Sequence, residues 1–275
     1  MISLHSLKLS VEGRTATVEL DHGKANEMGR DQLADWETLS GWLEEGTVSA
    51  LITFSRRVSS KGSPIFIAGA NVTERAGWPL ADVKAHVRRQ REALVRLRSA
   101  PVFHVGVVHG IALGWGTEFL IACDYRIASS TAKFGLPETG LGILPGAGGS
   151  SELATMIGPN QALRLGMTGE LIGPDEAARI GLVDEAVLTL DMGLNRAKSL
   201  ADRVAPRSPT AVAAFKRAVL AGMGNPAGAR REIEALAYEH CADTGEAAVG
   251  RAHFAEISAG TGFVAPWGPF RRWEA

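Results

Sequence analysis

The chain has 275 residues, 45% hydrophobic and 21% charged, with a formal net charge of −1 at pH 7. This is an ordinary globular composition, long enough for a sizeable core. It offers neither a basic balance for nucleic acid nor a basic tract for a membrane surface. Cys123 and Cys241 lie far apart and outside any CxxC pair, which speaks against a disulfide framework or a metal site. They read as buried or semi-buried thiols. The first residues lack the basic and then apolar stretches of a secretory leader. No apolar run reaches the ~20 residues of a membrane span, so the expected location is the cytoplasm.

In chain order, residues 3–11 and 14–20 alternate as a hairpin around Gly13. Residues 29–45 carry Leu33, Trp36, Leu39 and Leu43 at helical spacing. A buried strand is expected at 49–55 and a polar loop at 56–65. Residues 80–99 form an amphipathic helix, with Val83, Val87, Leu94 and Leu97 on one face and Arg88, Arg89, Arg91, Arg96 and Arg98 around the rest; Pro101 ends it. A strand at 102–110, a helix start at 116–124 and a strand at 125–129 complete an α/β alternation. From about residue 191 the pattern turns helical, at 191–205, 209–222, 226–242 and 246–257. This divides the chain into an α/β core, 1–190, and a helical C-terminal segment, 191–275. The final stretch, 260–275, is too rich in Gly, Pro and aromatics for a regular element and reads as a tail that docks on the body.

Three segments could carry chemistry. In FIAGANVTE, 66–74, the small triplet Ala68-Gly69-Ala70 would let a ligand approach the backbone; taken alone, a tight turn is the simpler explanation. In HGIALGWGTEF, 109–119, glycines precede a helix start whose free N–H groups could hold a negative oxygen. Glu118 stands one turn in, where a carboxylate is often only a dipole partner. Neither GxGxxG nor a GK[ST] ending is present. In AKFGLPETGLGILPGAGGSSEL, 132–153, Glu138 is either a buried acid with a task or a solvated loop residue, and GAGG at 146–149 is expected to open a helix. The separation of 20 residues puts Glu118 and Glu138 on different elements, and spacing alone does not pair them.

Taken together and in order, FIAGAN (66–71), GIALGWGTE (110–118), CDYRIA (123–128), FGLPETGLGILPGAGG (134–149) and GPDEAARIGLVDE (173–185) resemble the enoyl-CoA hydratase/isomerase (crotonase) family. DHGKANEM at 21–28 matches more loosely. The resemblance implies an α/β spiral of ββα units followed by a helical segment that builds homotrimers, often paired into homohexamers. It implies an acyl-CoA thioester as substrate and no metal or redox cofactor. The thioester oxygen would sit between the backbone N–H groups of Ala70 and Trp115, and Ala25, Ala68 and Asn71 would border the coenzyme A thioester. Glu118 would hold and activate water and Glu138 would protonate C2, with Phe134, Leu136 and Leu141 as apolar neighbours able to keep it protonated.

Isomerases of the family tend to lose the glutamate at the position of Glu118, so the retained pair favours hydration. Isomerisation, decarboxylation, C–C hydrolysis and a non-catalytic acyl-CoA-binding subunit are the alternatives. The chain departs from the family pattern at Trp115, which replaces a glycine, at Asn71, which replaces an acidic residue, and in the cations of the 56–65 loop and the 80–99 helix. Trp115 is expected to wall the acyl pocket, with packing beneath the loop as the alternative.

Overall fold

The structure, a computed structural model, describes residues 2–273. Strands β1 (Leu7–Glu12) and β2 (Thr15–Leu20) form the expected hairpin, with Gly13 in the left-handed region at the turn. Helix α1 (Arg30–Leu43) follows, then β3 (Ala50–Ser55), parallel to β2 and buried along its whole length. Its side chains alternate between two cores: Leu51 joins the large cluster containing α1, whereas Ala50, Ile52 and Phe54 join a second one, as the two-residue strand period requires.

Short elements that the sequence reading did not separate come next: β4 (Ile65–Ile67) and the one-turn helix α2 (Val72–Arg75). Helix α3 (Leu80–Ser99) has the expected bounds but buries a rotated face, made of His86, Gln90, Ala93, Leu94 and Leu97; Val83 and Val87 are only half-buried. The strand expected at 102–110 is two strands in different sheets, β5 (Phe103–Val108) and, beyond a bend, β6 (Ile111–Leu113). Gly110 makes the bend, since a Cβ there would lie 2.0 Å from the Pro64 carbonyl oxygen.

Helix α4 (Trp115–Phe119) runs into a 3₁₀ turn at Leu120–Ala122, then come β7 (Tyr125–Ser129) and β8 (Lys133–Gly135). A second 3₁₀ turn, Pro137–Leu141, leads to α5 (Leu153–Ile157), α6 (Pro159–Thr168), α7 (Pro174–Arg179) and β9 (Glu185–Val187). The GAGG run does not open a helix; α5 begins four residues later. One sheet has six strands in the order β1-β2-β3-β5-β7-β9, and the other three, β4-β6-β8, all parallel. The motif residues Arg126 and Asp184 bracket the junction of β7 and β9 in a two-pronged ion pair at 2.9 and 3.1 Å.

The C-terminal helices are α8 (Leu190–Val204), α9 (Pro209–Gly222), α10 (Ala227–Asp243), α11 (Glu246–Ala252) and α12 (Phe254–Ser258). The helix expected over 246–257 is broken at His253. Helix α8 covers the large sheet through Leu190, Ala197 and Ala201, and Leu194 and Leu200 pack there too. Helix α9 is tied to the body by Lys216, whose Nζ donates to the Val102 carbonyl (2.8 Å) and to Asp124 (2.7 Å).

The tail docks as expected. Trp267 donates to the Pro206 carbonyl, and the Arg271 N–H donates to Thr210. Arg272 reaches the end of α1 at Glu44. Glu274 and Ala275 lie outside the described residues. Both cysteines are free, Cys123 buried and Cys241 half-buried. No described helix is long and apolar enough to cross a membrane.

Candidate active site

The three suspected segments meet at the C-terminal ends of the three short parallel strands. Ala70 lies three residues past β4, Trp115 two past β6 and Glu138 three past β8. Parallel strands end together, so their following loops converge at one edge. Two pairings hold the Ala70 turn. The Met28 N–H donates to the Gly69 carbonyl (2.8 Å), and the Asn71 N–H donates to the Met28 carbonyl (2.9 Å). The Ala70 N–H therefore faces the other way. The Trp115 N–H opens α4 and has no intrahelical partner. Among the described residues neither donor meets an acceptor. Gly116 packs its α-carbon against the Ile67 carbonyl, where a Cβ would lie 2.4 Å from the oxygen, so the two donor segments sit side by side.

Glu118 is buried one turn into α4. Its Oε1 accepts the N–H groups of Ala147 (2.7 Å) and Gly149 (2.9 Å). Thus the GAGG run serves as a cradle for this carboxylate. Burial raises the Glu118 pKa, while those two N–H groups and Arg91 oppose the rise. Arg91 acts on the same peptide unit from its other side: Nε and Nη2 donate to the Gly146 carbonyl at 2.9 and 2.7 Å. The 146–147 peptide is held between a guanidinium on its oxygen and Glu118 on its N–H, so each bond polarises the other.

Glu138 lies against Gly114, where a Cβ would fall 2.5 Å from its Oε1. Gly114 also has positive φ, at 53°. This explains why the helix can start at a tryptophan: the left-handed step falls on Gly114, and Trp115 is spared it. The Glu138 pKa is pushed up to about 7, chiefly by burial and further by the neighbouring Glu118 charge, against a bond from its own N–H. Its Oε2 is buried without a partner among the described residues. Of the expected apolar neighbours, Phe134 and Leu136 are fully buried, whereas Leu141 is 67% exposed and is no part of a wall.

The other site residues separate. The Ala68 N–H donates to the Ala25 carbonyl at 3.0 Å, so these two alanines form one half-buried edge beside the Ala70 turn. The Asn71 side chain caps α2 by accepting the Glu74 N–H (3.0 Å) and is committed to the chain. The Trp115 indole is 3% exposed and packs on Phe119, with ring centroids 5.6 Å apart, inside the main core. It fills space beneath the loop; the expected pocket wall is not what this placement gives.

Most of the cations are also spoken for. Arg57 pairs with Asp21, Arg89 with Glu37, Arg96 with Glu44 and Arg98 with Glu152.

Asn26 escaped the sequence reading. It is fully buried, with φ 53°. Its Nδ2 donates to the Phe66 carbonyl (2.8 Å) and to Ser55 (3.0 Å), and its Oδ1 accepts the His22 N–H. It fastens β4 to the end of β3, and so fixes the Ala70 turn. Asparagine tolerates positive φ better than most residues, which is the one local signal that marked it. Arg91 carries no such signal among five similar arginines.

Two amide donors without partners among the described residues thus lie near two carboxylates, one cradled and one with its pKa pushed up to about 7. Residues 58–260 match the family model described as enoyl-CoA hydratase/isomerase, and the chain belongs to that family. It is 32% identical to a short-chain-enoyl-CoA hydratase of Clostridium acetobutylicum over 88% of this chain and 92% of that one. It is 31% identical to a crotonyl-CoA hydratase of Syntrophomonas wolfei over 93% and 96%. The crystal structure of an enoyl-CoA hydratase from Bacillus anthracis superposes with a TM-score of 0.86 at 29% identity, covering 96% of this chain and 99% of that one. The fold is the crotonase fold.

Proposed function

We propose that the chain adds water to the C2=C3 bond of a 2-enoyl-CoA, giving a 3-hydroxyacyl-CoA. The observation that carries this reading is the pairing of a cradled Glu118 with a Glu138 whose pKa lies near 7, both beside unpartnered N–H groups. The thioester oxygen takes the Ala70 and Trp115 N–H groups, which stabilise the enolate as charge moves onto it. Glu118 accepts through Oε1 from the protein and keeps Oε2 for water, which attacks C3. Glu138 gives its proton to C2. The reading calls for no metal or redox cofactor, since coenzyme A arrives on the substrate and water addition is redox-neutral.

Isomerisation needs only one proton-shuttling carboxylate; two at one site favour hydration. The apolar face of α9 and α10, where Phe215 is 73% exposed and Tyr238, Val219 and Leu236 are also exposed, supports a homotrimer or homohexamer. A monodisperse monomer in light scattering at micromolar concentration would remove that part of the reading.

The test of function is the loss of conjugated enoyl-thioester absorbance when purified protein meets crotonyl-CoA. Turnover that disappears in Glu138→Gln is the expected result. No loss of absorbance at micromolar enzyme, or full activity in Glu138→Gln, would overturn it.

A further inference from the structure

Arg75 has no part in the chemistry above, yet it is among the least explained side chains near the site. It ends α2, five residues past the Ala70 donor and one turn past the Asn71 cap, about 6 Å along a helix. Its Nε and Nη2 are buried and meet no acceptor among the described residues. The adjacent Glu74 acts on Arg75 through its charge but does not bond it: its carboxylate accepts the Arg30 N–H at the start of α1, at 3.2 and 3.3 Å. Two other arginines in the neighbourhood have partners. Arg89 pairs with Glu37 at 2.6 Å, and Arg30 lies over the Trp78 ring, 3.9 Å from its centroid.

Against Arg75 stands His86, buried, edge-on to Trp78 and 3.3 Å from the Gln90 amide. Burial first, and then Arg75, Arg89 and Arg30, hold His86 down to about 4 and keep it neutral. It supplies no counter-charge. The next residue on α3, Val87, touches the other side of the site, since a Cβ on Gly146 would lie 2.7 Å from it. Arg75 thus follows the Ala70 turn directly in the chain, and α3, which comes next, meets the cradle of Glu118 through Val87.

A partly desolvated guanidinium with no acceptor is costly, and a buried polar group left unpaired in a native fold asks for a partner from outside. The chemistry of the planar fork selects that partner, because it matches a carboxylate in two-pronged geometry. We propose that Arg75 receives a carboxylate at the far end of the acyl group, so that the preferred substrates are monothioesters of unsaturated dicarboxylic acids. The short reach from Ala70 to α2 suits a short acyl chain. The inference rests on the reading of this site as an acyl-CoA site.

The test is a binding measurement that does not depend on turnover. Titration calorimetry compares glutaryl-CoA with butyryl-CoA, and adipyl-CoA with hexanoyl-CoA, on the full-length protein and on Arg75→Met. The parent should bind at least one of the two diacyl thioesters about tenfold to a hundredfold more tightly than its monoacyl counterpart, the range of a charge-assisted hydrogen bond. Arg75→Met should abolish that preference and leave butyryl-CoA and hexanoyl-CoA affinities unchanged, which also shows that the variant is folded. Arg75→Lys, which keeps the charge but not the fork, should retain part of it.

Equal affinity for diacyl and monoacyl thioesters in the parent would overturn the proposal. So would an equal loss of all four ligands in Arg75→Met. If the diacyl preference depends on Arg75 but neither crotonyl-CoA nor glutaconyl-CoA is hydrated, the hydratase reading falls and the carboxylate site stands.

Discussion

The two sheets of this protein do different work. The six-stranded sheet is long and packs on two faces. Its carboxyl edge is closed by its own groups: Ser129 bonds His109 at 2.9 Å, and Arg57 pairs with Asp21. Even the buried His104 is consumed, bonding Thr53 at 2.9 Å and the Ala122 carbonyl at 3.1 Å, with burial holding its pKa down to about 3. The three-stranded sheet has strands of three residues each, yet its carboxyl edge leaves two N–H donors and a carboxylate oxygen without partners among the described residues. The large sheet carries much of the buried core, and the proposed chemistry falls at the edge of the small one. A small sheet can keep unsatisfied groups in place only because the large one, through Asn26 and α4, fixes its ends.

The sharpest test of that division lies in the carboxylates. Glu118→Gln and Glu138→Gln should each lower kcat by about 10²–10⁴-fold, the range of general acid–base help, with thioester binding little changed. Glu138 also links activity to pH. Its folded pKa, about 7, lies above the ordinary 4.5, so hydration should decline as pH rises through 7 and the acid is lost. Between 4.5 and 7 the folded state binds the proton more tightly than the unfolded chain, so this group's contribution to stability falls as pH rises. Melting curves from pH 5 to 8 should therefore slope less in Glu138→Gln than in the parent. An identical slope would contradict the assignment.

Trp115→Ala comes next. The indole is core, so the cost should appear in stability, roughly 3–5 kcal/mol as for other large aromatic deletions. The backbone donor remains, and the order of preference among short and long 2-enoyl-CoA substrates should be that of the parent. A changed order with an unchanged melting temperature would restore the pocket-wall role.

On the other sheet, Gly13→Ala puts a side chain at φ +57° in open space. It should cost about 1–2 kcal/mol in a denaturant titration and leave kcat untouched. A loss of activity there would break the proposed separation of the two sheets.

The smallest effect belongs to Arg91. Arg91→Ala removes the clamp on the 146–147 peptide and a cation that favours ionised Glu118, so kcat should fall about tenfold, near the value of one charge-assisted bond. The acid limb of the pH–rate profile should move upward, because Glu118 then holds its proton more tightly. Arg91→Lys should recover part of both. A lower melting temperature with an unmoved profile would reduce Arg91 to a structural brace.

Much of this was legible in the chain itself. The hairpin around Gly13, the helices at 30–43 and 80–99 and the strand at 125–129 follow from periodicity and turn residues, which act over a few neighbours. The ordered motifs, through their resemblance to the enoyl-CoA hydratase/isomerase family, singled out Ala70, Trp115, Glu118 and Glu138; the local features alone left a turn, a dipole partner and a solvated acid open. The short strands β4, β6 and β8 were not legible, since three residues carry no period and exist as strands only through their partners.

The same reason hid which face α3 buries, the use of GAGG as a carboxylate cradle, the role of Asn26 and the burial of the Trp115 indole. Each depends on what arrives from 20 to 60 residues away. Sequence by itself determined which residues could do the chemistry. Tertiary structure alone decided that Gly114 makes room for Glu138, that Ala147 and Gly149 turn their N–H groups to Glu118, and that Nε and Nη2 of Arg75 meet no acceptor among the described residues. Hydrogen bonding and desolvation are set by distances between elements, and local sequence does not encode those distances.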